Sequence, residues 1–163
     1  MDYKLIEVIK HPFALIWSPF IEWLAKIILA AKPVWYVDYE EALLNANQNG
    51  KIVLANFTGS DWCPHCINLK KEVFNTVYFW LWANKNVILL ELYFPNNPED
   101  TIAQNQMLQT KYGVNSYPTV IGINADGSER GRVSGYSSGT GVINWISMFE
   151  TVVGLNTSPA NDT

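Results

Sequence analysis

The chain has 163 residues, of which 48% are hydrophobic and 13% aromatic, so it is long and apolar enough to bury one sizeable core. Its formal net charge of −4 at pH 7, without a run of Lys or Arg, excludes the basic surface of a nucleic-acid-binding protein. Its two cysteines lie at positions 63 and 66, which excludes a wider disulfide framework and a second cysteine pair for a four-ligand zinc site.

Residues 1–33 form an apolar or amphipathic segment for which we expect an extra helix. Within 13–31, Glu22 and Lys26 are spaced by four, which favours one polar stripe on an amphipathic helix. A membrane anchor or uncleaved signal is a second interpretation, although each charge would cost about 2.5–3.5 kcal/mol at mid-bilayer. Cleavage after Ala31 is a third. The sequence leaves all three open.

The domain proper is predicted to span residues 34–154 and to begin with a helix and a buried strand. Asp38 can cap a helix that Asn49-Gly50 ends. Residues 51–57 are a short, mostly apolar run between glycines, which indicates a buried strand leading to the cysteines. From Cys66 onward, apolar residues recur at helical spacing through positions 69, 73, 74 and 77, which predicts a long helix.

The second half of the chain predicts further strands and helices in alternation. These are a strand within 86–94, a helix over 101–112, strands over 119–123 and 129–133, and a closing helix over 139–153. Asp126-Gly127 marks a hairpin turn, and residues 155–163 are predicted to be a flexible tail. The order strand, helix, strand indicates an α/β fold with a central mixed sheet flanked by helices.

The most informative motif is Cys63-Pro64-His65-Cys66, which follows Trp62 and opens the predicted helix. Two intervening residues bring both sulfurs to one helix start, where exposed N–H groups and the helix dipole favour a thiolate. Pro64 takes a first-turn position, where proline is tolerated. This is the chemistry of a dithiol–disulfide redox site.

Residues 37–154 resemble the thioredoxin-like superfamily, in particular bacterial single-domain thiol–disulfide oxidoreductases. Two passages carry the resemblance: Phe57-Thr58-Gly59-Ser60-Asp61-Trp62-Cys63, and Lys111-Tyr112-Gly113-Val114-Asn115-Ser116-Tyr117-Pro118-Thr119, which is similar to the family's cis-proline segment. The Asp-Gly hairpin and the final helix follow in the family's order. The resemblance implies a thioredoxin fold and no cofactor.

The resemblance also implies roles for the motif. Cys63 is the expected nucleophile towards a substrate disulfide, and Cys66 is expected to resolve the mixed disulfide. His65 is the candidate for tuning the thiolate, since a neighbouring imidazole lowers a Cys pKa; a solvated loop histidine is the alternative. Asp61 would act in the opposite direction if it lay near Cys63.

The predicted substrate-binding residues are Trp62, Pro64, Tyr117 and Pro118. The family implies that Trp62 contacts substrate beside the nucleophile. A cis bond before Pro118 would leave the Tyr117 backbone free to pair with an extended substrate strand, whereas an ordinary turn proline is the alternative. The implied partners are protein thiols or disulfides and a redox partner that supplies or accepts electrons.

The direction of electron flow stays open. The Pro-His dipeptide also occurs in DsbA-type oxidants, but the chain between positions 75 and 86 is too short for their helical insertion. Asn56 falls where many thioredoxins place a buried acid, and an amide cannot titrate. Glu91 is a candidate substitute, with an exposed strand-edge glutamate as the alternative.

Two other readings accompany this function. A copper or zinc carrier would use Cys63, His65 and Cys66, although none of the three methionines adjoins them. A redox-inert, chaperone-like module would hold substrate along the edge at Tyr117 and Pro118. We expect no metal, and a location in a bacterial cell envelope or periplasm, with membrane association through the N-terminal segment left open and the cytoplasm as the alternative.

Overall fold

Five strands form one mixed sheet in the order β1-β3-β2-β4-β5 in the computed structural model, which describes residues 32–155. The strands are β1 Trp35–Tyr36, β2 Ile52–Thr58, β3 Val87–Tyr93, β4 Thr119–Ile123 and β5 Glu129–Ser134. Strands β1, β3 and β2 run parallel, while β4 pairs antiparallel with both β2 and β5. The helix predicted in residues 1–33, with its three interpretations, falls almost wholly outside the described residues, as does the predicted tail beyond position 155.

In the described part of the chain, five α-helices flank the sheet. They are α1 Tyr39–Asn49, α2 Pro64–Leu69, α3 Val77–Asn86, α4 Ala103–Lys111 and α5 Gly141–Val153. The predicted first helix is confirmed, because the Asp38 carboxylate accepts the Glu41 N–H at 2.8 Å and Gly50 ends the helix in the left-handed region. Within residues 32–155, no helix has both the length and the apolar character needed to cross a membrane.

The long helix predicted after the cysteines is wrong, because the structure divides it. A π-helical turn over Lys70–Phe74 follows α2 and closes with the Asn75 N–H bonded to the Lys70 carbonyl at 2.8 Å. Thr76 then caps α3, its hydroxyl accepting the Phe79 N–H at 3.2 Å. Val77, which helical spacing assigned to the first helix, is therefore the first residue of the next one.

Strand β1 was not predicted, since two residues carry no periodic pattern. Trp35 pairs with Leu89 of β3, and its ring lies 5.1 Å from that of Phe74. The strand predicted within 86–94 is confirmed over Val87–Tyr93, with Asn86 closing α3 instead. The start of the domain is thus fastened to the sheet.

The core has two halves, one on each face of the sheet. Side chains of β2 alternate between them: Ile52 and Leu54 face α2, α3 and α5, while Val53, Ala55 and Phe57 face α1 and α4. We call the first the cysteine face, since α2 carries Cys66 there, and the second the tyrosine face, after Tyr39 and Tyr112. Because both faces are covered, every residue of β2 is buried.

Candidate active site

The turn between β2 and α2 presents the cysteines. The N–H groups of Trp62 and Cys63 both donate to the Gly59 carbonyl, at 3.1 and 2.8 Å. A Cβ on Gly59 would overlap the indole of Trp62, so only glycine leaves room for this packing. The turn therefore places Cys63 at the N-cap of α2 and packs the Trp62 indole against Gly59, where the turn begins.

Both cysteines are free thiols, and both are buried, at 5% exposure for Cys63 and 2% for Cys66. The Cys63 sulfur accepts the Cys66 N–H at 3.3 Å and donates to the Tyr117 carbonyl at 3.6 Å. The Cys63 sulfur therefore lies at the start of α2 with a backbone N–H directed at it.

Burial raises the pKa of the Cys66 thiol from its ordinary 9.0 to about 11. The hydrogen bond to Cys63 also contributes to this rise, while the Gly59 backbone and the Thr58 hydroxyl act in the opposite direction. Cys66 is thus the protonated, inner thiol of the pair at neutral pH.

Trp62 and Tyr117 form an aromatic wall beside the cysteines. The Trp62 indole, 39% exposed, donates to the Phe94 carbonyl at 2.8 Å and meets the Tyr117 ring edge-on at 6.2 Å. Tyr117 stacks on Phe94 at 4.9 Å, and its hydroxyl accepts from Gln109 at 2.8 Å. The wall borders a groove of about 360 Å³, which is lined by Trp62, Phe94, Pro95, Asn96, Pro98, Thr101, Gln106, Gln109 and Tyr117.

The proline segment lies against the same sulfur. The Tyr117–Pro118 peptide bond is cis, the isomer that the resemblance implies. The Tyr117 carbonyl is the group that accepts from Cys63, and the Pro118 carbonyl accepts the Gly135 N–H at 2.7 Å. Pro64 is exposed in the first turn of α2. The four residues predicted to bind substrate therefore lie next to the cysteines or border the groove.

His65 and Asp61 were predicted to act on the pKa of Cys63, but their side chains form hydrogen bonds to Tyr136 and Tyr93. His65 is exposed, with Nδ1 2.9 Å from the Tyr136 carbonyl. A carbonyl only accepts, so Nδ1 is the nitrogen that carries hydrogen. Asp61 accepts from the Tyr93 hydroxyl through both carboxylate oxygens at 2.9 Å, and this bond raises the pKa of Tyr93.

Sequence reasoning missed Glu72, which lies in the π-helical turn. Its carboxylate accepts three hydrogen bonds, from the Tyr136 hydroxyl at 2.6 Å, the Ser138 hydroxyl at 2.8 Å and the Gly139 N–H at 2.8 Å. All three donors belong to the loop between β5 and α5. The available signal was the density of glycine in this loop and at the start of α5, at positions 135, 139 and 141.

A polar group lies under α2 on the cysteine face. Asn56 is 4% exposed, stands opposite Glu91 in the parallel register, and its Oδ1 has no hydrogen-bond partner among residues 32–155. Glu91 is half-buried and lies 3.7 Å from the Lys70 ammonium. The alternative of an exposed glutamate is therefore wrong, because Glu91 is half-buried in β3, where it is paired in register with β2.

The metal-carrier alternative finds no support. In the part of the chain that the structure describes, no group of three or more His, Cys, Asp or Glu side chains is placed to hold a metal ion. His65, the third ligand that such a site would need, makes its hydrogen bond to Tyr136 instead.

Comparisons with known proteins agree with this geometry. The family model described as a thioredoxin-like domain matches residues 39–149. The disulfide bond reductase DsbH of Chlamydia pneumoniae is 32% identical over 116 residues, which cover 69% of each chain. The thioredoxin-related protein DsbJ of the same organism is 30% identical over 111 residues, or 66% of this chain and 32% of that longer one.

Solved structures show the same likeness. A structure described as DsbH oxidoreductase superimposes with a TM-score of 0.68 at 29% identity, covering 78% of this chain and 90% of the other. A thioredoxin from Thermus thermophilus superimposes with a TM-score of 0.58 at 21% identity, covering 77% and 88%. The second likeness concerns the fold alone.

Proposed function

The chain belongs to the thioredoxin-like family and is a thiol–disulfide oxidoreductase, and we propose that it exchanges disulfides with protein substrates through Cys63 and Cys66. Cys63 is the nucleophile and Cys66 the resolving thiol. The observation that carries this assignment is the asymmetry of the pair: Cys63 caps α2 and receives the Cys66 N–H, while burial holds the pKa of Cys66 near 11.

The reaction takes two exchange steps. The Cys63 thiolate attacks one sulfur of a substrate disulfide, which forms a mixed disulfide and releases the other sulfur as a thiolate. Cys66 then gives up its proton and attacks the Cys63 sulfur, which forms the Cys63–Cys66 disulfide and frees the substrate as a dithiol. Two electrons pass from the protein to the substrate, and the reverse sequence oxidises a substrate.

We propose that the substrate lies along the aromatic wall and the groove beside it. Trp62 and Pro64 would contact the polypeptide next to the reacting disulfide, and the backbone of Tyr117, beside the cis bond to Pro118, would pair with it as an added strand. The groove supports this proposal because its lining carries amides and aromatic rings but no carboxylate or ammonium group. An uncharged peptide segment fits that lining.

We favour reduction of substrates as the physiological direction, supported by the likeness to a protein named disulfide bond reductase. The equilibrium potential of the cysteine pair against glutathione tests this. A value near the thioredoxin end, about −270 mV, agrees with a reductase, whereas a value near about −120 mV would make the protein an oxidant. A reductase needs an electron donor, which is the implied redox partner.

Trapping of the mixed disulfide tests the assignment of the two cysteines. Cys66→Ser should accumulate a covalent adduct with a disulfide-containing protein, because the resolving thiol is missing, and reducing agent should release it. Cys63→Ser should form no adduct and lose disulfide exchange altogether. Adducts that form equally through either cysteine would refute the assignment, and exchange by Cys63→Ser would refute the function.

We propose a bacterial cell envelope as the location, since disulfide exchange partners act in oxidising compartments and the named relatives are bacterial. Membrane association through residues 1–33 remains a proposal, as do the domain limits 34–154. Fractionation of the full chain, with a redox trap of Cys63 in each fraction, tests the compartment.

A further inference from the structure

We infer that Glu72 is a positioning residue that holds the imidazole of His65 through the β5–α5 loop and so sets the redox poise of the cysteine pair. This inference rests on the proposed function, because it concerns the same site. It assigns a role to a carboxylate outside the Cys-Pro-His-Cys motif, six positions after Cys66.

The β5–α5 loop has little intrinsic preference for one conformation. Its glycines at positions 135 and 139, and Gly141 at the start of α5, adopt φ angles of 76°, 86° and 74°. Glycine loses more conformational freedom on folding than any other residue, so such a loop requires contacts that fix it.

Glu72 supplies contacts that fix the loop. One carboxylate binds two hydroxyls and one backbone N–H of the loop, at 2.6, 2.8 and 2.8 Å. Hydrogen bonds to an ionised acceptor are stronger than those between neutral groups. The same donors, led by the Tyr136 hydroxyl, lower the pKa of Glu72.

Tyr136 connects the loop to the redox motif. Tyr136 donates its hydroxyl to Glu72, while its backbone carbonyl lies 2.9 Å from Nδ1 of His65. One residue therefore joins the carboxylate to the imidazole. Because the ring is otherwise exposed, this hydrogen bond is what selects its tautomer, in which Nδ1 carries hydrogen.

The consequence concerns the balance between the reduced and oxidised states. A histidine between two redox cysteines affects that balance only through where its ring and its proton lie relative to the thiolate. If the loop is released, the ring loses its partner, and the effect of His65 on the pair changes. The positive charge of the neighbouring Lys71 also lowers the pKa of the Glu72 carboxyl.

A double-mutant cycle on the full chain tests this inference. The equilibrium constant of the cysteine pair with glutathione is measured at pH 7.5 for the wild type, Glu72→Gln, His65→Ala and the double variant. Glutamine keeps one acceptor oxygen for three donors. We expect Glu72→Gln to shift the constant by about twofold or more, in the direction of His65→Ala, and to have no effect when His65 is absent.

Nitrogen NMR of the imidazole gives a second readout, which does not depend on redox activity. The wild type should show a single Nδ1–H tautomer for His65, and Glu72→Gln should show a mixture of tautomers. His11 is the other histidine of the chain, so the His65→Ala spectrum assigns the signals. Tyr136→Phe, which removes one donor to Glu72 but keeps the carbonyl, should have a smaller effect of the same kind.

Asp126→Asn is the matched control. Asp126 also holds a turn, accepting the N–H and the hydroxyl of Ser128 at 2.9 and 2.6 Å, but it does not contact the loop that holds His65. It should change neither readout. An unchanged tautomer in Glu72→Gln, or an equal shift of the constant with and without His65, would overturn the inference. A wild-type pair that does not exchange with glutathione would refute the proposed function instead, and the NMR result would still stand.

Discussion

The two faces of the sheet treat buried polar groups differently. On the tyrosine face, the hydroxyls of Tyr39 and Tyr112 lie 2.7 Å apart, Tyr112 donates to the Gly127 carbonyl at 2.9 Å, and Lys111 donates to Tyr39 at 2.9 Å. On the cysteine face, within residues 32–155, Asn56 Oδ1 and Trp145 Nε1 are buried without a hydrogen-bond partner.

This difference separates a face that stabilises the fold from one that also holds the reacting thiols. An unpartnered buried polar group costs about 1–3 kcal/mol, so a face built for stability alone would not keep one. The cysteine face keeps two, and Asn56 is followed two positions later by Thr58, the hydroxyl that acts on Cys66. The following substitutions test whether the two faces are distinct in this way.

The largest effect is expected from Trp145→Ala on the cysteine face. Trp145 is fully buried, stacks on Phe149 at 5.5 Å and meets Phe74 edge-on at 5.3 Å. Losing this packing should lower the free energy of unfolding by about 3–5 kcal/mol, measured by urea unfolding. Trp62→Ala, at an exposed ring, should lower it far less. A loss below about 1 kcal/mol would mean that the unpartnered indole N–H cancels the packing.

Asn56→Asp should have the next largest effect on the free energy of unfolding. Burial raises the pKa of a carboxyl at this position, and Glu91 opposite adds a like charge. The variant should match the wild type below about pH 4, where the unfolded chain is also protonated, and lose about 2–4 kcal/mol of stability as pH rises to 8. Urea unfolding across this range measures it. Asn144→Asp, at an exposed position of α5, should show no such pH dependence.

The third effect concerns Cys66. In the reduced wild type, a thiolate absorption step should occur near pH 11, and the free energy of unfolding should fall as pH rises from 9 towards 11, because the unfolded thiol ionises first. Below pH 9 this contribution to stability is fully present. Complete ionisation of both thiols by pH 9 would show that burial on the cysteine face does not control this group.

The smallest effect is expected from Tyr112→Phe on the tyrosine face. The change removes the hydroxyl that bonds to Tyr39 and to the Gly127 carbonyl, which should lower the free energy of unfolding by about 1 kcal/mol. The equilibrium of the cysteine pair with glutathione should not change. A tenfold shift in that equilibrium would show that the two faces are coupled and that the distinction fails.

Much of this architecture could be predicted from the sequence, because it follows from local signals. The cap at Asp38, the buried run over 51–57 and the Asp126-Gly127 hairpin each act within a few residues, so the sheet and most of its helices were predictable. The cysteine motif is equally local. The break at Thr76 was not predicted, because the apolar spacing continues through it while a side-chain cap starts a new helix.

The rest of the site could not be predicted because it depends on contacts between distant parts of the chain. The bond from His65 to Tyr136 spans 71 positions, and that from Glu72 to Tyr136 spans 64. They require the loop after β5 to reach α2 and the π-helical turn that follows it. A histidine inside the motif suggested contact with Cys63, while the structure gives its ring a backbone partner instead.

The parallel pairing of β1 has a practical consequence for labelling this protein. Trp35 is level with Leu54 in the sheet, four residues before the end of β2 at Thr58, which corresponds to about 13 Å along the strand. A label placed on the exposed Val34, next to β1, would therefore lie along the sheet away from the end of β2 that leads to the cysteines, and it should leave disulfide exchange unchanged.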